Sequence, residues 1–359
     1  MNEQRFLKAC RREPVRPTPV WFMRQAGRYL PQYRRVRERL SLWEILERPE
    51  LCAEITVQPV ELLGVDAAIL FSDISVAFRA LGVAFELREQ LGPVPSRPVR
   101  TAADVDRLRP VRLEETLALV GESARLAARA LRVPLIGFAG GPFTLASYLV
   151  EGGPSRRYLH TKALMYSDPG LWRALMERLA RVSAALLAEQ VRCGARAVQV
   201  FDSWAGALSR EDFEEFVAPH LRWLFGQLAS AEVPTIYFAV ETGGYLESLA
   251  SLGASVVGVD WRVPLDQAWR RLGFGVGIQG NLDPAALLAP RELLARRATA
   301  VLEQAAGRPG HIFNLGHGVP PEADPQQVRF LVELVRETTS RGEPAAPKRP
   351  PHPPQGKEQ

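Results

Sequence analysis

The chain has only three cysteines, Cys10, Cys52 and Cys193, far apart and in no C-x-x-C spacing. An odd, scattered set argues against a disulfide framework or a thiolate zinc site and suits a reducing cytoplasm. Lysine is almost as scarce: Lys8, Lys162, Lys348 and Lys357 are the only ones among 45 basic residues, and the others are arginines. That excess reads as codon or temperature bias, since arginine codons follow genome composition. No sign of charge is concentrated either. The 40 acidic residues are interleaved with the basic ones, as in "RVRERL" and "REDFEEF", so the net charge of +5 describes solvated helix faces and no nucleic-acid stripe. No apolar run reaches the roughly 18 residues that span a bilayer, and "MNEQRFLKACRRE" has no apolar region for a signal peptidase, so neither membrane nor leader is expected. Also missing are G-x-x-x-x-G-K-[ST], a G-x-G-x-x-G after a strand, G-x-S-x-G, and any clustered His, Cys and Asp.

With 47% hydrophobic residues in 359, the chain can bury a large core. Eight short apolar segments, at 20–23, 67–71, 135–139, 197–201, 235–239, 255–259, 275–279 and 311–316, alternate with amphipathic stretches whose apolar residues recur three and four apart. Strands alternating with helices imply a parallel sheet, and eight such units predict an α/β fold, a single and somewhat distorted (β/α)8 TIM-type barrel over residues 1–341. "FELREQLGPVPSRPV", residues 85–99, interrupts the alternation with Gly and Pro and reads as a hairpin excursion. The Pro-rich segment 342–359 is expected to be a disordered tail.

In such barrels chemistry gathers where the strands end, so the residues that follow each apolar run are the candidates. Arg24 and Arg28 flank Gly27 and can aim two planar forks at an anion; the plain alternative is a surface pair bonded to Glu38 or Glu44. Asp73, with no basic neighbour until Arg79, either meets a ligand cation or N–H donors or simply caps a helix. Tyr148 sits on the helix that follows "GFAGGPFT", where it either faces the mouth or packs. Asp202 and Ser203 follow the fourth run, Glu241 the fifth and Asp260 the sixth; Asp283, before a proline, reads as a helix cap. His317 lies between glycines after the eighth run, either as a loop residue or as a base. Arginines around one isolated carboxylate suit a polyanionic small molecule and proton-transfer or decarboxylation chemistry.

Longer motifs sharpen this. "PVWFMRQAGR" resembles the P-x-W-x-M-R-Q-A-G-R signature of the uroporphyrinogen decarboxylase family, and "GFAGGPFTLASYLVEG" is similar to that family's second signature. "FSDI", "FDSWAG", "IQGNLDP" and "NLGHGV" follow the family's order, over roughly residues 3 to 340. The resemblance implies a (β/α)8 barrel acting as a cytoplasmic homodimer without metal or organic cofactor. Its substrate would be uroporphyrinogen III, whose four acetate side chains become methyl groups. Carried over by motif, the substrate-binding residues are Arg24, Gln25, Ala26, Gly27, Arg28, Asp73, Tyr148, Ser203 and His317. Asp73, with Arg24 and Arg28, would be catalytic, and Arg37 is a further candidate for the carboxylate arms. Corrinoid-dependent methyltransferases resemble the same family but bind zinc through His and Cys, a pattern missing here; a tetrapyrrole carrier without activity is the other alternative.

Overall fold

The computed structural model describes residues 4–88 and 92–340; the tail expected at 342–359 lies outside them. Seven parallel strands form one curled sheet: β1 (Ala68–Ile69), then β4 (Leu135–Gly140), β5 (Ala197–Phe201), β6 (Thr235–Phe238), β7 (Val256–Gly258), β8 (Gly277–Leu282) and β9 (His311–Leu315), in that spatial order. The excursion is the antiparallel hairpin of β2 (Phe85–Arg88) and β3 (Gly92–Pro95). Neighbouring strands in the sheet are consecutive in the chain once that hairpin is set aside, the order of a sequentially wound barrel.

The eighth strand expected at 20–23 is not formed as a strand. Val20 makes a single parallel bridge to Phe313 of β9. Pro19 has no N–H to give, so it only accepts, from Phe313 N at 2.9 Å. Val20 N donates to Asp66 Oδ2 at 2.9 Å and Val20 O accepts from Asp66 N at 2.8 Å. Gln25 adds a bond from its Nε2 to Ala67 O, 3.2 Å away. Residues 19–25 are thus tied to β9 by the backbone bonds around Phe313, including Trp21 N to Phe313 O at 3.4 Å, and to the approach to β1 by one backbone bond and the Asp66 and Gln25 side chains, in place of a full ladder. Asp66, buried, is neutralised by Arg5 and Arg336, each at 3.2 Å.

Helices cover the outer face. Arg48 precedes Pro49 and is driven out of helical geometry, so the chain between residues 42 and 63 divides into two helices, Leu42–Leu46 and Pro49–Leu63. Ser41 and Glu44 form a reciprocal capping box on the first, and Gly64, left-handed at φ 73°, ends the second. The long helices Leu113–Ala130 and Pro169–Arg192 bury one stripe each, the latter through Trp172, Leu175, Leu179 and Leu186. Phe6, Trp21, Phe22, Trp269 and Phe313 are fully buried, which places the core around the sheet and leaves the strand ends open.

Candidate active site

At the C-terminal ends of the strands lies a cavity of about 360 Å³. Its floor is apolar. Phe138 of β4 meets Phe201 of β5 edge-on at 5.3 Å, Phe201 meets Phe238 of β6 at 6.0 Å, and Phe238 meets the His317 imidazole at 6.3 Å. The polar groups come from the segments that follow the strands: Arg24, Asp73, Ser203 and His317 from loops and Thr144 and Tyr148 from the helix Pro142–Glu151 all line it.

Arg24 follows the bridge at Val20 and adopts φ 58°, a left-handed conformation that costs a side-chain residue roughly 1 kcal/mol or more and turns its guanidinium into the cavity. Its aliphatic stem runs so close to Gly318 that a Cβ there would lie 2.5 Å from Arg24 Cδ. Among the described residues Arg24 and Arg28 have no ion pair, so the surface pairing with Glu38 or Glu44 is not formed; Glu44 spends its carboxylate on Ser41 N. Desolvation lowers the Arg24 pKa, Asp73 opposes the shift, and Arg28 adds to it.

Asp73 does not cap the following helix, whose N-cap is Ser75 with no side-chain cap bond. Asp73 Oδ1 accepts from Ser75 N at 2.8 Å, an Asx turn leading into the helix Val76–Ala80, while the carboxyl group also faces the cavity. Burial pushes its pKa up, against the Ser75 bonds and the positive charge of Arg24. Tyr148 lies against Trp204 at 4.0 Å between ring centres and against Phe78, and burial followed by the Asp73 charge raises its hydroxyl pKa. His317 is pushed down to about 4, first by desolvation and then by Arg24 and Arg262. Its imidazole is therefore neutral near pH 7.

Other candidates sit differently. Gln25 is fully buried, its Oε1 taken by Phe22 N and its Nε2 by Ala67 O, so its side chain holds the loop. Ala26 lines the cavity. Gly27 is required by its own loop, because a Cβ would lie 2.8 Å from Arg24 O. Arg28 is exposed beside Arg24 and does not line the cavity; Arg37 is bonded to Leu40 O at 2.7 Å. Asp283 caps the turn after it through Ala285 N, as its place before a proline foretold. Cys10, Cys52 and Cys193 lie outside the cavity lining, and no helix among the described residues is long and apolar enough to cross a membrane.

A family model described as "Uroporphyrinogen decarboxylase (URO-D)" matches residues 1–338. The chain belongs to the uroporphyrinogen decarboxylase family. It is 56% identical to the uroporphyrinogen decarboxylase of Streptomyces coelicolor over 337 residues, covering 94% of this chain and 95% of that one. The protein of the same name from Thermus thermophilus is 52% identical, with 93% and 98% covered. Among solved structures, a methyltransferase from Methanosarcina mazei superposes with a TM-score of 0.76 at 21% identity, over 94% of this chain and 98% of that one. That likeness establishes a shared fold and nothing about zinc or methyl transfer.

The uroporphyrinogen decarboxylase motifs account for the polar wall but not for the floor. Phe138, Phe201 and Phe238 lie in apolar runs and read from sequence as core; only their place toward the C-terminal ends of three adjacent strands marks them as cavity-facing. Trp204, within "FDSWAG", also lines the cavity, although an aromatic beside a motif serine carries no sequence signal that separates it from a packing residue.

Proposed function

We propose that this cavity is where a decarboxylase of the family removes the four acetate carboxylates of uroporphyrinogen III, giving coproporphyrinogen III and CO2. The observation that carries the reading is one carboxylate, Asp73, sharing the cavity with Arg24, which has no ion pair among the described residues, above an aromatic floor. The floor suits the face of a macrocycle, and the pyrrole N–H groups converge at its centre, where Asp73 can accept them. Such donors favour the ionised carboxylate that burial alone disfavours.

Protonation of a pyrrole carbon turns that ring into a cationic electron sink. The C–C bond to the acetate carboxylate then breaks, its electron pair enters the ring, and CO2 leaves. A second proton converts the exocyclic carbon to methyl, and loss of the first restores the pyrrole. Asp73 lies fixed where the positive charge develops, and where a bound macrocycle displaces water such a preorganised charge removes several kcal/mol from a barrier, roughly 3–4 for a single group. Arg24 and Arg28 bind carboxylate arms, while Gln25 and Gly27 set the loop and Ala26 gives it an apolar surface. Tyr148, Ser203 and the neutral His317 orient the ring as hydrogen-bonding groups. The reading needs no metal or organic cofactor. It takes residues 1–341 as one catalytic domain and places the chain in the cytoplasm as a homodimer. Interleaved charge supports the lack of a nucleic-acid partner. Anaerobic incubation with uroporphyrinogen tests it: evolution of CO2 is expected, and binding without CO2 would leave a carrier instead.

A further inference from the structure

The helix Pro142–Glu151, which carries Tyr148, begins with a residue that cannot cap it. Its N-cap is Gly141, which has no side chain to offer the first unpaired N–H groups. The cap comes from another strand. Asp202, completely buried at the end of β5, accepts from Thr144 N at 2.7 Å and from Thr144 Oγ1 at 2.7 Å through the same Oδ1, and its Oδ2 lies 3.4 Å from the Tyr237 hydroxyl. The Thr144 hydroxyl in turn accepts from Trp204 N at 3.1 Å. Gly141 N donates to Phe201 O at 2.7 Å, and a Cβ on Gly141 would lie 2.3 Å from Asp202 Cγ, so the Asp202 side chain can sit here only because residue 141 is glycine.

These bonds converge on the cavity wall. Thr144 and Tyr148 are four apart, on one face of the helix, and both line the cavity. Ser203 and Trp204 follow Asp202 directly and line it too, and the Trp204 ring rests on Tyr148 at 4.0 Å. Asp202 touches none of the cavity and no arginine or lysine pairs with it among the described residues. We propose that Asp202 is a positioning residue for the decarboxylation: as a cap supplied from β5 it locks the Tyr148 helix to the Ser203–Trp204 loop and so fixes the spacing of the wall that receives the macrocycle. The inference rests on the function proposed above.

Three variants test it, each assayed with uroporphyrinogen under anaerobic conditions and each followed by thermal unfolding. Asp202→Asn keeps an oxygen that accepts both Thr144 bonds, so KM and kcat should stay within about three-fold of the starting protein. Asp202→Ala should raise KM by roughly ten-fold or more, and Thr144→Val, which keeps shape and the backbone bond to Asp202 but loses the hydroxyl that joins Asp202 to Trp204 N, should raise it several-fold even if the alanine variant folds poorly. A fall in melting temperature with KM unchanged in both Asp202→Ala and Thr144→Val would reduce Asp202 to a structural cap. Equal damage from asparagine and alanine would show that the charge itself acts, and would also overturn the proposal. Turnover by the unaltered chain reports separately on the function: its absence overturns that reading, whereas only the ranking of the variants bears on Asp202.

Discussion

Arg24 and Asp73 share one cavity and feel each other's charge, yet they form no ion pair within 4.0 Å. Two opposite charges held apart in a partly desolvated site are poised for a ligand that completes both, a carboxylate for the arginine and N–H donors for the aspartate. Replacing Arg24 by Gln removes one charge-assisted bond to the substrate, about 1.5–3 kcal/mol, so KM should rise roughly ten- to hundred-fold. Steady-state kinetics with uroporphyrinogen check this, and an unchanged KM would show that Arg24 makes no bond to the substrate.

Gly318 makes room for the Arg24 stem, and any side chain there must displace it. Gly318→Ala should therefore raise KM in the same direction as Arg24→Gln. The two changes should not add, because both act through one guanidinium. A double variant whose effect is the product of the two single effects would show that Gly318 acts elsewhere.

The imidazole of His317 sits at about 4 against an ordinary 6.5. Between those values the unfolded chain binds a proton that the folded chain refuses, so this group's contribution to stability is complete above about pH 6.5 and is lost as pH falls toward 4. His311, buried and held at about 4, acts with the same sign; Asp202, raised to about 6, acts in the opposite sense because the folded chain holds its proton longer. In His317→Gln the first contribution is gone. Its melting temperature relative to the unaltered protein should climb as the buffer is taken from about pH 7 to about pH 5. A constant difference across that range would contradict a buried neutral His317.

What the sequence showed and hid follows from how local each feature is. The run 197–201 became β5 with the same bounds because it is apolar, short and closed by Asp202. The first run failed as a strand because its pairing is settled by residues far away: Asp66 and Gln25 take the bonds a ladder would have made, and no periodicity in "VWFM" reveals that. Motif order brought Arg24, Asp73, Tyr148, Ser203 and His317 to one cavity. It did not separate Gln25, whose amide is used up internally, from its neighbours, and it gave Gly27 a ligand-facing reason where its own loop supplies the reason. Asp202 was visible as a strand-end residue, but its role is a relation between two strands' loops and exists only in three dimensions.

The central claim is that Asp73 is the group that makes decarboxylation fast. Asp73→Asn keeps the shape and the bond from Ser75 N but cannot stabilise a cationic ring as a carboxylate does. The decisive measurement is anaerobic incubation of both proteins with uroporphyrinogen, with chromatography that separates macrocycles by the number of carboxylates left. The unaltered chain should deliver coproporphyrinogen, and Asp73→Asn, folded and of similar melting temperature, should leave the substrate largely unconverted, at a rate lower by roughly a hundred-fold or more. Near-equal conversion by the two would contradict the account.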